Sequence, residues 1–197
     1  MHISSYQKMT RFREQHLAQF EGQTLSILDI GSQNVNGCYK PLFEHPGWSY
    51  LGADLSPGKN VDIVLSDPHH WRELATASFD VVVTGQVFEH VEYVWCAILE
   101  LQRILKPGGI CCIIAPAGGF EHRYPVDCWR FYPDGFKALA KYANLEVIEC
   151  HTEWEGNTYA DGSEIWKDSI LISRKPLKTS LKQRLRQSLR RYALRVA

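Results

Sequence analysis

No apolar run in the 197-residue chain approaches the roughly 20 residues that span a bilayer. An ordinary membrane-spanning helix is therefore excluded. The opening residues Met1-His2-Ile3-Ser4-Ser5 lack a charged stretch followed by an apolar one. No secretory leader is expected, and the expected location is cytoplasmic. None of the six cysteines (Cys38, Cys96, Cys111, Cys112, Cys128, Cys150) forms a Cys-x-x-Cys pair, which removes the commonest zinc and redox spacings. Cys111 and Cys112 are adjacent in an apolar segment. On a strand they point to opposite faces, as small core residues of a reducing compartment do. Internal repeats and long linkers are also missing, so this length reads as one domain, residues 1–175, followed by a tail, 176–197.

Net charge is missing too, but only on average: 22 basic residues balance 22 acidic ones. Nine of the basic residues lie from Arg174 onward, where there is no acid. The body is left with 13 basic against 22 acidic residues, a balance of −9. An acidic body does not favour a nucleic-acid-binding core, and no nucleic-acid partner is expected.

What is present is a hydrophobic fraction of 45 %, ordinary for a globular protein, arranged as alternating strands and helices. Helical spacing of Met9, Phe12, Leu17 and Phe20 predicts a helix over residues 6–20. Apolar runs predict strands over 24–30, 48–54, 61–65 and 79–84, the last β-branched and fully buried. Val94, Ile98, Leu101 and Leu105 form the stripe of a helix over 91–105. Lys106-Pro107-Gly108-Gly109 is expected to stop it and turn the chain into a strand over 110–115. A helix over 134–142 and strands over 145–151 and 169–174 complete the series. The alternation predicts an α/β fold: a Rossmann-like, doubly wound, mostly parallel seven-stranded sheet with helices on both faces.

Ligands of such sheets sit beyond the carboxyl ends of the strands. The first strand ends in Leu28-Asp29-Ile30-Gly31-Ser32-Gln33. Gly31 permits a conformation that a Cβ would hinder. Asp29 can accept from a ligand ammonium or support the loop. The second and third glycines of a dinucleotide fingerprint are absent, with Gln33 and Asn36 in their places, so a pyrophosphate would be poorly served. Asp54 ends the second strand, where a carboxylate can accept both hydroxyls of a ribose or cap the following turn. Asp67 follows the third strand and can accept an adenine amino group. His69 and His70 beside it read as surface or packing residues, because neighbouring side chains diverge.

In order and spacing these segments resemble class I S-adenosylmethionine (SAM)-dependent methyltransferases of the small-molecule type. The resemblance runs from about Leu25 to Arg174. It rests on Leu28-Asp29-Ile30-Gly31-Ser32, Asp54, Asp67, Phe79-Asp80-Val81-Val82-Val83 and Leu105-Lys106-Pro107-Gly108-Gly109. It implies SAM as cofactor, lined by Gly31, Ser32, Asp54, Leu55, Asp67, Pro68 and Thr84 to Gln86, with Asp29 and Gln33 completing the expected contacts.

Two clusters could serve the acceptor. Gln86-Val87-Phe88-Glu89-His90 follows the fourth strand. It is similar to a Glu-x-x-Glu-His that binds a divalent cation in some ubiquinone-biosynthesis O-methyltransferases, but Gln86 stands where the first Glu would be. On that ligand count no metal is expected. The richer cluster is His122 to Phe131, after the fifth strand. Its pattern His-x-Tyr-Pro-x-Asp-x-x-Arg-Phe resembles a segment of methyltransferase domains associated with glycan biosynthesis. His122 is expected to act as general base. Asp127 and Arg130 either position the acceptor or bridge one another. The loop from Trp154 to Trp166 interleaves aromatics with acids and amides, which suits a sugar face or an ordinary surface hairpin.

Leu177, Leu181, Leu185, Leu189, Tyr192 and Val196 share one arc of a helix wheel, with Lys182, Arg184, Arg186, Arg190 and Arg191 around the rest. That is a basic amphipathic helix. It suits peripheral contact with the anionic inner face of a membrane, or docking on the acidic body or a second copy. The expected function is O-methylation of a sugar hydroxyl in a glycan or glycolipid precursor. The alternatives are a non-sugar small acceptor and a SAM-fold protein that binds without turnover.

Overall fold

The computed structural model describes residues 2–195; Val196 of the apolar row lies outside them. Seven strands form one sheet: β1 (Leu25–Ile30), β2 (Trp48–Asp54), β3 (Ile63–Val64), β4 (Phe79–Gly85), β5 (Leu105–Pro116), β6 (Glu146–Thr152) and β7 (Asp168–Arg174). Their order is β3-β2-β1-β4-β5-β7-β6. All neighbours are parallel except β7, which runs antiparallel to both β5 and β6. The order reverses between β1 and β4, where Ile30 lies opposite Thr84. This is the doubly wound sheet that the alternation of elements predicts. It opens its crevice between the carboxyl ends of β1 and β4.

Helices cover both faces. On one side α1 (Ile3–Phe12) and the single turn α2 (Lys40–Phe43) bury Met9, Phe12 and Phe43 against Ile27, Val81, Val83, Cys112 and Ile172. On the other, α3 (Val94–Ile104) and α4 (Pro133–Ala143) bury Ile98, Leu101, Phe136 and Ala140 against Leu28, Val82, Cys111 and Ile113. Cys111 and Cys112 thus face opposite layers, as strand pleating requires.

Three stretches differ from the sequence expectation by more than two residues, each for a tertiary or backbone reason. The first helix starts at Ile3 because distant groups cap it. Ile3 N–H donates to Asp161 Oδ2 at 2.8 Å and Ser4 N–H to Ser163 Oγ at 3.1 Å. It then loosens into a π turn, Arg13–Leu17, and a 3-10 turn, Ala18–Phe20. The helix after β4 starts only at Val94, since Phe88–His90 form a separate 3-10 turn. Lys106-Pro107-Gly108-Gly109 does not turn the chain. It is a bulge within β5: Phe79 pairs with Leu105, and Val81 with Ile110. Gly108 takes the bulge at φ +82°, and its N–H donates to Lys175 O at 2.9 Å.

The tail forms α5 (Leu181–Arg195). It docks through its polar edge: Gln187 donates to Tyr142 O at 3.1 Å, Gln183 to Asn144 Oδ1 at 3.0 Å, and the Arg190 guanidinium lies 4.2 Å from the Tyr142 ring centre. The row Leu177, Leu181, Leu185, Leu189 and Tyr192 points to solvent, every member more than half exposed.

Candidate active site

The β1 loop is built by reciprocal bonds with β2 and the turn after it. Gly31 N–H donates to Ala53 O at 2.8 Å, with Gly31 at φ +78°. A Cβ there would meet Val87 Cγ2 at 2.1 Å, so only glycine fits. Ser32 Oγ donates to Asn60 O at 2.9 Å, and Asn60 Nδ2 returns a bond to Ser32 O at 3.0 Å. Asp54 ties the end of β2 to this loop. Its Oδ2 accepts from Gln33 N–H at 3.0 Å and its Oδ1 from Ser56 N–H at 3.3 Å. Leu55 beside it is about half exposed.

Asp29 is buried beneath the loop. Tyr50 donates its hydroxyl to Asp29 Oδ2 at 2.6 Å, whereas Oδ1 has no partner. Burial pushes the carboxyl up to about 7 against the Tyr50 bond, which pulls the other way, and the Asp54 charge adds to the rise. Unfolded, the group titrates near 3.8. Between those values the folded chain holds a proton that the unfolded chain has released. Stability therefore falls as pH rises from about 4 to about 7 and is level above that window. Asp29→Asn is expected to remove this part of the slope and to be more stable than wild type at pH 8, by ~2–4 kcal/mol. Urea unfolding at pH 5 and pH 8 reads it. Parallel curves for the two proteins would show that Asp29 is not the source.

Asp67 closes a tight turn: its Oδ1 accepts from His69 N–H at 2.7 Å and His70 N–H at 3.2 Å. Burial acts to raise its carboxyl, but these bonds and the His70 ring outweigh it and hold the group below the usual range. Pro68 O accepts from the Trp71 indole at 3.2 Å. Thr84 is buried with its Oγ1 unpartnered. Gln86, at φ +61°, spends its amide on Asp168 Oδ1 at 3.1 Å and Ser5 Oγ at 3.3 Å.

Beyond β4 and β5 the two polar clusters singled out in the sequence become one. The loop after β5 is pinned to the 3-10 turn after β4 because Cys128 and Trp129 N–H both donate to Glu89 O, at 2.7 and 3.2 Å. This brings the His122 ring 4.9 Å from the His90 ring, centre to centre. Glu89 is fully buried, and neither carboxylate oxygen has a partner. Burial pushes it up to about 8. His90 is held below its ordinary value, chiefly by burial.

Asp127 is saturated. Arg130 grips it with two bonds, at 2.6 and 2.8 Å, and His122 N–H adds a third at 2.7 Å. The Arg130 bonds hold its carboxyl well below the usual carboxylate range. Arg130 also donates to Phe120 O at 2.8 Å. The Asp127–Arg130 bridge considered in the sequence is thus formed. His122 Nδ1 lies 3.5 Å from Asp127 Oδ2 with no hydrogen bond. Trp166 stacks obliquely on the His122 ring at 4.5 Å, and exposed Phe120 flanks Trp166 at 5.0 Å.

Sequence reasoning missed Tyr50 and Asn60, which brace the β1 loop, and Asp168, which anchors Gln86. It also treated Glu89 and His90 apart from His122. No local pattern signals these meetings, because each partner comes from a different strand or loop.

Solved structures share this architecture. A SAM-dependent methyltransferase from Archaeoglobus fulgidus superposes with a TM-score of 0.62 at 15 % identity, over 87 % of this chain and 95 % of that one. A 1,6-didemethyltoxoflavin-N1-methyltransferase from Burkholderia thailandensis, solved with S-adenosylhomocysteine and 1,6-didemethyltoxoflavin, gives 0.66 at 14 %, over 88 % and 79 %. The fold is that of the class I methyltransferases. Residues 28–113 of this chain also match the family described as a methyltransferase domain. An uncharacterized methyltransferase from Mycobacterium avium (strain 104) is 27 % identical over 174 residues, and one from Mycolicibacterium paratuberculosis is 26 % identical. The match covers 81 % of this chain and 62 % of each of those proteins, so the chain spans less than two thirds of their length.

Proposed function

We propose that this chain is a SAM-dependent methyltransferase that O-methylates a hydroxylated small acceptor, of the sugar type, held over the His122–Arg130 loop. The single observation that carries the reading is the joining of Glu89, His90 and His122 beyond β4 and β5, on the same edge of the sheet as the β1 loop. The β1–β2 end fits the cofactor: the unpartnered Asp29 Oδ1 suits an ammonium, and Asp54 suits the ribose hydroxyls. Asp67 and Pro68 flank the adenine side.

Bound SAM supplies a methyl carbon on a sulfonium. The acceptor oxygen must approach in line and shed its proton as the new O–C bond forms and the methyl–sulfur bond breaks, leaving S-adenosylhomocysteine. His122, at the centre of the polar cluster, is the residue on which that proton loss depends. Asp127 and Arg130 are positioning residues that hold its loop. Exposed Phe120, backed by Trp166, offers a flat apolar surface of the kind that a sugar ring stacks on. An acceptor screen with labelled SAM tests the reading, run alongside calorimetric titration with SAM and its demethylated product. Label on oxygen of a sugar supports it. Label on nitrogen or carbon only, or binding without turnover, overturns it.

The tail supports a peripheral location at an anionic membrane surface. Its leucine row is exposed, with Lys182 and Arg186 exposed beside it. Leu185→Glu with Leu189→Glu is expected to cut co-sedimentation with phosphatidylserine vesicles at least about fivefold, at roughly 1 kcal/mol or more for each buried leucine withdrawn. Since both residues are exposed, the fold is kept. Equal pelleting of variant and wild type would rule the contact out.

A further inference from the structure

We propose that Glu89, His90 and His122 form a binding site for a divalent cation of the zinc class. One donor atom from each residue lies within 4.8 Å of the others. Three side-chain features independently point to a cation. His90 Nδ1 sits 2.6 Å from Val126 O. A carbonyl only accepts, so Nδ1 carries the hydrogen and Nε2 is left with its lone pair. Backbone carbonyls orient metal-binding histidines in this way. Nε2 in turn lies 3.6 Å from Glu89 Oε1.

Glu89 is fully buried, and both its oxygens lack a partner. A buried carboxyl group without hydrogen bonds is costly. The nearby cation, Arg130, is already engaged twice by Asp127. His122 Nδ1 also lacks a hydrogen-bond partner. The Asp127 carboxylate beside it, at 3.5 Å, adds negative charge to the neighbourhood.

One carboxylate and two imidazoles suit Zn²⁺ and its first-row neighbours better than the hard cations, which prefer all-oxygen cages. Three protein ligands leave a coordination position open, as in catalytic zinc sites. The ligand count over Gln86, Glu89 and His90 made the site look deficient because His122 arrives from another loop. The use of the cation rests on the O-methylation reading: it would bind the acceptor oxygen and make its hydroxyl more acidic, so that the proton passes to solvent water as the O–C bond forms and the methyl–sulfur bond breaks. His122 then acts through the cation, as a ligand. The site itself stands on the donor geometry alone.

The test uses the full chain, stripped with a chelator and titrated with ZnCl₂ alone by calorimetry and by thermal unfolding. One zinc per chain is expected, with a rise in Tm. Glu89→Gln and His122→Ala are each expected to weaken that binding tenfold or more, by roughly the measure of lost metal-site groups, while S-adenosylhomocysteine still binds and reports an intact fold. Absence of stoichiometric binding, or equal binding in both variants, overturns the site. If zinc fails to bind but sugar O-methylation persists in chelator, the cation falls and the functional reading stands. If zinc binds at these residues and no oxygen acceptor is methylated, the site stands and the functional reading falls.

Discussion

His122→Ala is expected to lower methyl transfer to a hydroxyl acceptor by roughly 10²–10⁴-fold, the range for losing a positioned group that manages a proton. Binding of S-adenosylhomocysteine is expected to stay within about twofold, because Asp29, Gly31 and Asp54 belong to other strand ends. The ring contributes no hydrogen bond to the loop; the fold relies on the His122 N–H to Asp127, which alanine keeps. Trp166 loses a stacking partner, a packing cost of about 1 kcal/mol. Single-turnover rates with saturating SAM separate the two effects. Full turnover in a variant that binds the cofactor normally would remove His122 from the chemistry. His122→Gln is a useful second variant, since it retains a polar side chain of similar reach but neither takes up a proton nor offers an imidazole nitrogen to a cation.

Asp54→Ala is expected to weaken SAM binding by roughly 100-fold. Two bonds to ribose hydroxyls, each worth about 1.5–3 kcal/mol when the acceptor is charged, would be lost, offset in part by water. The same carboxylate also receives Gln33 and Ser56 N–H, so the loop loosens as well. A ribose-modified ligand separates these causes. Wild type is expected to bind the 2′,3′-dideoxy analogue of S-adenosylhomocysteine far more weakly than the parent compound, and Asp54→Ala to bind the two about equally. If the variant keeps wild-type affinity for SAM, the ribose does not lie on Asp54.

The two predictions probe halves of the molecule that differ in how far the sequence reveals them. The ends of β1, β2 and β4 were legible because their signals are local. Val81, Val82 and Val83 are a β-branched run that favours a buried strand, and Gly31 marks a conformation that its own backbone requires. Asp29 and Asp54 stand at strand ends in any parallel arrangement of β1 and β2. The polar cluster beyond β4 and β5 was not legible to the same depth. His122 was singled out for its polar neighbours, but its partners Glu89 and His90 are remote in sequence.

Helix boundaries show the same division. The start of α4 follows from Pro133, and its end at Asn144 from a left-handed residue at φ +57°. The start of α1 depends on Asp161 and Ser163, which no window around Ile3 contains. The tail was legible as an amphipathic helix, yet its packing was not. A hydrophobic row ordinarily turns inward, but here Gln183, Gln187 and Arg190 make the contacts with the body.

By itself the sequence determined the doubly wound sheet, its two helical layers, the glycine turn at Gly31 and the acids that end the first two strands. Each depends on periodicity or backbone freedom, which act over a few residues. Only the tertiary structure decided that Glu89, His90 and His122 share one site. β4 and β5 are neighbours in the sheet, so the segments after them leave from the same edge. The bonds from Cys128 and Trp129 N–H to Glu89 O then bring an imidazole nitrogen of His122 within 4.8 Å of a Glu89 carboxylate oxygen.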